Sequence, residues 1–255
     1  MQASPFISII IPTFNSQASL WATLDSILSQ TFTAYEIVCV DGGSRDATVE
    51  LLSEYASRDE RVKVTSEKDQ GIYDAMNKGI ARSRGEWFYF LGSDDCLHDA
   101  RVLEDMAQVL TGSTAGLVYG DAILVSDQQR YGGEFDVLRL HTVQNLCHQT
   151  IFYHYSVFAR VGGYNLKYKV LADWELNIRC FRHPEIQTTY YSRDIVVFNN
   201  LTGVSSQPYE DPLYQEIPVR YLQELNELKG NRVLNSKAYA WAKSIYGFAK
   251  RMRAN

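Results

Sequence analysis

The sequence is short of the features that mark several common classes of protein. Its four cysteines are far apart and form no C-x-x-C pair, so neither a zinc site nor a disulfide framework is indicated, and reduced thiols are expected. No apolar run approaches the roughly 18 residues needed to cross a bilayer. The amino terminus, MQASPFISIII, has no basic n-region and no small-residue cleavage site, so no signal peptide is predicted.

Basic charge is also in short supply. The 255 residues include 25 Lys and Arg against 30 Asp and Glu, which gives a formal net charge of −5. Because nucleic-acid-binding proteins usually carry a basic surface, no nucleic-acid partner is expected. The length allows one large α/β domain with a full core, or two small domains.

Glycine is missing where nucleotide-binding proteins most often have it. The first apolar run, residues 6–11, is followed by PTFNS without a glycine, and no G-x-x-x-x-G-K-[ST] occurs. These absences argue against a dinucleotide fingerprint at the first turn and against a P-loop. A diphosphate ligand would then need a divalent cation to neutralise it, and Mg²⁺ and Mn²⁺ prefer carboxylate oxygens.

Apolar runs that alternate with helical patterns fill the first half of the chain. Strands are predicted at residues 6–11, 35–40, 62–65 and 87–91, with amphipathic helices between them. Because the strands are apolar throughout, the pattern favours an α/β fold with a mainly parallel central sheet flanked by helices.

The pattern becomes less regular after about residue 115. Strands are predicted at 117–119, 123–125 and 146–153, and a helix at 172–181. No repeat or flexible linker interrupts the chain, so we expect a single Rossmann-like domain followed by a helical tail from about residue 212.

Three predicted strands end in polar residues, namely PTFN, DGG and SDD. Each stretch alone is compatible with an ordinary turn, because Asn, Asp, Gly and Ser favour turns. Parallel sheets bind ligands at the carboxyl ends of their strands, however, so three such ends together favour a site. The adjacent carboxylates of Asp94 and Asp95 repel unless a cation or hydrogen-bond donors compensate them, and the missing phosphate-binding glycines favour a Mn²⁺ or Mg²⁺ site.

Longer motifs resemble those of family 2 glycosyltransferases of the GT-A fold. The resemblance lies in SIIIPTFNS, VCVDGGSRDATVELL and SEKDQGIYDAMNKGIARSRGEWFYFLGSDD, and then in CHQTIFY, RVGGYN, LADWEL and LTGVSS. Bacterial enzymes that build O-antigen, capsule or exopolysaccharide have similar motifs. The resemblance implies a GT-A domain at 1–211, with a nucleotide-binding half at about 1–115 and an acceptor half at about 116–211, and a C-terminal helical extension at 212–255.

The resemblance also implies roles for single residues. Asp41 would accept a hydrogen bond from the base of a UDP-sugar, Asp95 would bind the metal, and Asp173 would be the general base of an inverting transfer. Glu175 stays an alternative base, because Ala172 stands where some relatives have an acid. The residues expected at the donor nucleotide sugar are Pro12, Thr13, Phe14, Asn15, Asp41, Asp69, Gly71, Asn77, Ser93 and Asp94.

Several weaker hypotheses accompany this assignment. His148 is a candidate metal ligand or diphosphate contact, or else a core histidine. GVSS, at 203–206, is a candidate lid over the donor. The tail KAYAWAKSIYGFAKRMRAN is predicted to form a basic amphipathic helix, which would either pack on the domain or rest on the inner face of the cell membrane near a glycan or lipid-linked acceptor. The protein is therefore expected to be cytoplasmic, or peripheral on that membrane.

Two other functions are compatible with a nucleotide-binding fold. A sugar nucleotidyltransferase would need a glycine-rich basic loop near the amino terminus, and none is present. A non-catalytic nucleotide-binding scaffold would not need Asp41, Asp95 and Asp173 together. The sequence therefore favours a glycosyltransferase.

Overall fold

The structure, a computed structural model, describes residues 4–142, 144–199, 201, 210–218 and 220. The strands are β1 (Ile7–Thr13), β2 (Tyr35–Asp41), β3 (Val62–Ser66), β4 (Trp87–Phe90), β5 (Cys96–Leu97), β6 (Leu117–Leu124), β7 (Arg130–Tyr131), β8 (Ile151–His154) and β9 (Thr188–Phe198). The helices are α1 (Leu20–Leu28), α2 (Thr48–Arg58), α3 (Ile72–Arg82), α4 (Val102–Leu110), α5 (Val137–Thr142), α6 (Ser156–Val161) and α7 (Ala172–Arg182), and His148–Thr150 forms a 3-10 turn.

The strands form one sheet in the order β3-β2-β1-β4-β8-β6-β9-β5, and β7 pairs with β6. Pairing among β3, β2, β1 and β4 is parallel throughout, as expected for the nucleotide-binding half. Beyond β4 the sheet is mixed: β8 is antiparallel to both β4 and β6, whereas β6 and β9 are parallel. Parallel pairing therefore dominates only in the first half of the molecule.

The central strands are apolar throughout because both faces of the sheet are covered. On β1, Ile10 packs into one core together with Met76 of α3 and Leu176 of α7. Ile9, on the opposite face, packs with Leu24 of α1 and other residues of a second core. Successive side chains of a strand point to opposite faces, so a run without polar residues supplies both cores at once.

The register of the parallel strands aligns their carboxyl ends. Thr13 of β1 is opposite Asp41 of β2, and Asp41 is opposite Ser66 of β3. The PTFN, DGG and SDD stretches consequently lie on the same edge of the sheet, as the strand pattern predicts.

The second half of the chain departs from the predicted elements. The two strands expected at 117–119 and 123–125 are one continuous strand, β6, and β9 has no predicted counterpart. The strand expected at 146–153 is wrong in its first part, since β8 begins only at Ile151 and the 3-10 turn precedes it. Of the predicted tail, residues 213–218 are helical, whereas 203–206 and 221–255 lie outside the described residues.

Candidate active site

The first two strand ends are joined by hydrogen bonds. The backbone N–H of Asn15 donates to Ser44 Oγ (2.7 Å), and that of Arg45 donates to Asn15 Oδ1 (2.9 Å). Asn15 has a φ of 51°, in the left-handed region that asparagine tolerates better than most residues. The PTFN turn is thus fixed to the DGGS loop. Beside it, Phe14 exposes 60% of its surface, while Thr13 is buried at the end of β1.

Asp41 is completely buried and organises the DGGS loop. Its Oδ2 accepts hydrogen bonds from the backbone of Gly43 and Ser44 (3.0 Å each) and from Ser66 Oγ (2.7 Å). Burial alone would raise the pKa of this carboxyl, but the bonds from Ser44, Ser66 and Gly43 outweigh it and lower the pKa. A hydrogen bond to a nucleotide base would have to replace one of these partners, so the base contact stays a prediction.

Asp69 and Gly71 lie beside the same loop. The carboxylate of Asp69 packs against Gly42 so closely that a Cβ at Gly42 would overlap it. Asp69 Oδ1 accepts a hydrogen bond from the backbone of Gly71 (2.9 Å), whose φ of 121° favours glycine. The structure therefore brings these two candidates next to DGGS, where a donor site is expected.

Asn77 contacts the backbone of Tyr164 with both polar atoms of its side chain. Its Nδ2 donates to the carbonyl oxygen of Tyr164 (2.9 Å), and its Oδ1 accepts from the Tyr164 backbone N–H (2.8 Å). Both polar atoms of the side chain thus hold the backbone of the GGYN segment. The geometry supports a structural link between α3 and that segment rather than a donor contact.

The SDD stretch is tied to the PTFNS turn through Ser93. The Ser93 and Ser16 hydroxyl oxygens are 2.8 Å apart, and Ser19 Oγ donates to the Ser93 carbonyl oxygen (2.9 Å). Gly92, just before, lies so close to Asp95 that a Cβ there would overlap the carboxylate. Glycine at this position therefore allows the chain to turn tightly around Asp95.

Asp95 is a buried acid with only 1% of its surface exposed. Its Oδ2 accepts from Gln149 Nε2 (2.9 Å) and its Oδ1 from the Asn199 backbone N–H (2.7 Å). Burial raises the pKa of Asp95 to about 6, because the Asn199 and Gln149 hydrogen bonds do not offset the desolvation and the neighbouring Asp94 adds repulsion. The protein groups around Asp95 therefore compensate its negative charge only in part, and a divalent cation would supply the remainder.

Asp173 lies at the start of α7 and is also buried, with 7% of its surface exposed. The Tyr73 hydroxyl is 2.7 Å from its Oδ1, Asn145 Nδ2 donates to its Oδ2 (2.6 Å), and His148 Nδ1 is 3.6 Å from Oδ2. Burial alone would raise the pKa, but the interactions with His148 and Tyr73 outweigh it, and the pKa of Asp173 is lowered. The carboxylate is therefore ionised at neutral pH.

The 3-10 turn joins the two acids. His148 faces Asp173, whereas the next residue, Gln149, donates to Asp95. His148 also acts electrostatically on Asp95, so it lies within range of both carboxylates. Two consecutive residues thus link the end of β4 to the start of α7 and bring the first and second halves of the chain together at one site.

Glu175 is held away from this turn by arginines. Its Oε2 accepts from Arg179 Nε (2.9 Å), and its Oε1 is 3.6 Å from Arg220 Nη1. With 4% of its surface exposed, it is a buried ion-pair partner. Of the two candidate bases, the geometry favours Asp173.

Four residues of the site were not predicted, namely Tyr73, Asn145, Gln149 and Asn199. Each is a polar side chain or backbone group that donates to a site acid. Gln149 was the easiest to find, because it follows His148 in the CHQT motif. The others come from distant parts of the chain, and no local pattern distinguishes them.

Curated proteins with similar sequences are glycosyltransferases. The chain is 43% identical over 219 residues to a PGL/p-HBAD biosynthesis glycosyltransferase of Mycobacterium bovis BCG, and the alignment covers 85% of this chain and 86% of that protein. It is 29% identical to an uncharacterized glycosyltransferase of Mycobacterium tuberculosis over 264 residues, which cover 100% of this chain and 97% of the relative.

Solved structures confirm the expected GT-A fold. TarS 1-349 of S. aureus in complex with UDP-GlcNAc superposes with a TM-score of 0.69 at 20% identity, over 94% of this chain and 70% of that one. The mannosyltransferase PcManGT of Pyrobaculum calidifontis, solved with GDP-Man and Mn²⁺, superposes with a TM-score of 0.62 at 14% identity, over 100% of this chain and 82% of that one. The chain spans 44% of a longer TarS structure.

The family model described as glycosyl transferase family 2 matches residues 8–158, more than half of the chain. That stretch contains PTFN, DGGS, SDD and the 3-10 turn, and it ends before α7. The sequence resemblance is thereby confirmed, and the chain belongs to glycosyltransferase family 2.

Proposed function

We propose that this glycosyltransferase is inverting and metal-dependent. It would move a sugar from a nucleotide sugar, with UDP-sugars the first choice, to a hydroxyl of a glycan or lipid-linked glycan. The observation that carries the proposal is the 3-10 turn. Gln149 of this turn contacts Asp95, whose negative charge is only partly compensated, and His148 contacts Asp173, which is ionised. These are the two groups that an inverting transfer needs, one at the diphosphate and one at the acceptor.

The donor assignment is supported by the carboxyl edge of the sheet. The PTFN turn and the DGGS loop form a rigid, hydrogen-bonded corner next to SDD. Phe14 projects from this corner with most of its ring exposed, which suits stacking on a base. Structures with a similar fold were solved with UDP-GlcNAc and with GDP-Man, so both kinds of nucleotide are appropriate probes.

The residues present fit a hard divalent cation. No group of three or more His, Cys, Asp or Glu within the described part of the chain could hold a metal alone. Mg²⁺ and Mn²⁺ in nucleotide enzymes usually need only one or two carboxylates, because phosphate oxygens and waters complete the shell. Asp95 would hold the ion, with Asp94 closer to the ribose or sugar. The ion would stabilise negative charge on the departing diphosphate.

Asp173 is the proposed general base. Its ionised Oδ atoms would accept the proton of an acceptor hydroxyl while that oxygen attacks the anomeric carbon. The bond from the anomeric carbon to the diphosphate breaks at the same time, and its electron pair leaves with the nucleoside diphosphate. A single displacement inverts the anomeric centre, so an α-linked donor would give a β-linked product.

Nucleotide release from a panel of UDP- and GDP-sugars, with and without Mn²⁺, tests this proposal. We expect one donor to turn over with wild type and Mn²⁺, and chelation with EDTA to stop release. The Asp95→Ala and Asp173→Asn variants should both be nearly inactive, the first because the metal is lost and the second because no base accepts the acceptor proton. Failure of every nucleotide sugar to bind or react would contradict the proposal, as would full activity in EDTA.

The proposed acceptor assignment also includes contact of the carboxyl-terminal tail with a membrane surface. No helix in the described ranges is long and apolar enough to span a bilayer. The support for surface contact is the basic carboxyl-terminal sequence alone, since Lys and Arg near anionic lipid favour binding. Flotation with liposomes rich in anionic lipid should carry the full chain but not a chain ending at residue 235. Equal flotation of both would remove this role.

A further inference from the structure

Residues 210–218 together with residue 220, called here the C-terminal clamp, pack against the start of α7. Asp211 is buried, with 4% of its surface exposed. Its Oδ2 accepts hydrogen bonds from the backbone N–H of Val170 (3.0 Å) and of Leu171 (3.3 Å), and its Oδ1 accepts from Leu213 (3.0 Å). Val170 and Leu171 immediately precede the helix that begins with Ala172 and carries Asp173. The clamp therefore holds the backbone from which the proposed base projects.

Both backbone polar groups of Val170, the N–H and the carbonyl oxygen, are hydrogen-bonded to side chains. Asp211 binds its N–H, and the Tyr73 hydroxyl lies 2.6 Å from its carbonyl oxygen and 2.7 Å from Asp173 Oδ1. The single hydroxyl proton of Tyr73 is thus shared between Val170 and the Asp173 carboxylate. A shift of Val170 would change how well Tyr73 holds the proposed base.

The clamp also reaches the other side of Asp173. Arg220 Nη1 is 3.6 Å from Glu175 Oε1, and its Nη2 is 2.9 Å from both the Tyr168 hydroxyl and Glu216 Oε2. Leu213 is fully buried in the core that also contains Tyr73, Leu171 and Ala172. The first turn of α7 is therefore fixed before Asp173 by Asp211 and after it by Arg220.

We propose that Asp211 is a positioning residue for transfer, acting on Asp173 through Val170 and Leu171. This inference rests on the proposed role of Asp173 as base. Asp211 lies outside residues 8–158, the part of the chain that the family model matches, so the proposal extends the site beyond that region. Removing the carboxylate leaves buried N–H groups without an acceptor, so the turn before α7 must shift to find others. Displacement of a reacting group by about 1 Å can lower a rate by about 10²-fold.

The test uses full-length Asp211→Asn and the nucleotide sugar that turns over fastest in the panel, with release of nucleoside diphosphate as the readout. Asparagine keeps the shape and one acceptor oxygen, so we expect kcat to fall about tenfold while KM for the donor changes by less than about twofold. Asp211→Ala should lower kcat further. If either fails to fold, Arg220→Gln is the milder variant, with an expected loss in kcat of about threefold.

A double-mutant cycle with Tyr73→Phe separates positioning from general stability. If both residues act on the same carboxylate, the losses in kcat are not additive in the double variant. Glu36→Gln is the matched control, because Glu36 is another buried acid that binds a backbone N–H, that of Arg84, near the start of β2. It should lower the melting temperature without lowering kcat.

An unchanged kcat in Asp211→Asn, or strictly additive losses in the cycle, would overturn the positioning role. A fall in kcat for Glu36→Gln equal to that of Asp211→Asn would do the same. Asp173→Asn distinguishes the two proposals: its full activity would refute the base itself, whereas an inactive Asp173→Asn beside a fully active Asp211→Asn would refute only the clamp.

Discussion

Asp95 and Asp173 are both buried carboxylic acids, and residues of the same 3-10 turn contact both, yet their environments shift their pKa values in opposite directions. Asp95 has the amide of Gln149 and one backbone N–H as partners and stands next to a second acid. Burial dominates there, and the pKa rises to about 6. Asp173 has Tyr73 and Asn145 as partners with His148 nearby, and its pKa falls.

The difference shows that burial alone does not fix the charge of a carboxylic acid. The outcome depends on how much hydrogen bonding and positive charge the protein supplies to the ionised form. An acid kept ionised by its neighbours can accept a proton from a substrate. An acid whose negative charge is only partly compensated by the protein is stabilised most by a bound cation. Acids with pKa values pushed apart are typical of sites in which they have different roles.

The largest expected effect is the loss of the base. Asp173→Asn keeps the size and most contacts of the side chain but cannot accept a proton, so kcat should fall about 10³-fold. Binding of the nucleoside diphosphate with Mn²⁺, measured by calorimetry, should stay within about twofold of wild type, because the contribution is to the transition state. Glu175→Gln is the matched comparison. An active Asp173→Asn beside an inactive Glu175→Gln would transfer the role to Glu175.

The raised pKa of Asp95 predicts a pH dependence of stability in EDTA. Between the ordinary pKa near 3.8 and the folded value of about 6, the folded state binds more protons than the unfolded state. The contribution of Asp95 to the free energy of unfolding therefore falls as the pH rises through this window, by up to about 3 kcal/mol. Asp95→Asn does not titrate, so its stability relative to wild type should improve from pH 4 to pH 7.5 in urea unfolding. Parallel pH curves for the two proteins would contradict the assigned environment.

Loss of Asp95 should also weaken nucleotide binding more than loss of Asp94. With Mn²⁺ present, Asp95→Ala is expected to raise the dissociation constant of UDP about 10²-fold, because a metal contributes several kcal/mol to holding the diphosphate. Asp94→Ala should have a smaller effect, of about tenfold. Without Mn²⁺, Asp95→Ala and wild type should bind UDP equally weakly, because the contribution of Asp95 acts through the metal. The reverse order of the two variants would exchange the roles of the acids.

Removal of one donor to Asp173 should give the smallest effect. Tyr73→Phe deletes the hydroxyl at Asp173 Oδ1, and we expect kcat to fall about tenfold with KM for the donor unchanged. Tyr164→Phe is the control: its ring stacks on Tyr73, but within the described chain its buried hydroxyl has no hydrogen-bond partner. Equal activity of the two variants would show that Tyr73 does not support the base.

Prediction from sequence was most successful where the signal is local. The apolar strands of the first half and the polar stretch after each one predict β1 to β4 and the functional edge of the sheet. The second half of the chain was harder to predict, because β9 is a long strand with a largely polar first part, TTYYSRD, that does not follow a clean alternation. Its partner β6 decides its conformation, and that pairing joins residues about 70 positions apart.

The roles of Asn77 and Glu175 show a second limit. Both lie close in sequence to residues of the site, and motif position alone made them candidates. In the structure, Asn77 contacts the Tyr164 backbone, and Glu175 contacts two arginines. A sequence motif does not specify the direction in which a helix points a given side chain. The boundary between the 1–211 domain and the extension at 212–255 stays a prediction, although the clamp packs closely on α7 across it.

The family, the GT-A fold and the acids expected at the site could be predicted from sequence, because strand pattern and motif chemistry are encoded in neighbouring residues. The electrostatic environment of each acid could not be predicted in this way. Whether a buried carboxylate is compensated depends on Tyr73, Asn145, Gln149 and Asn199, and these reach the acids across 54 to 104 positions or, for Asn145, 28. Such contacts arise only when the sheet and the 3-10 turn have been assembled, since pKa values follow distances in space and not along the chain.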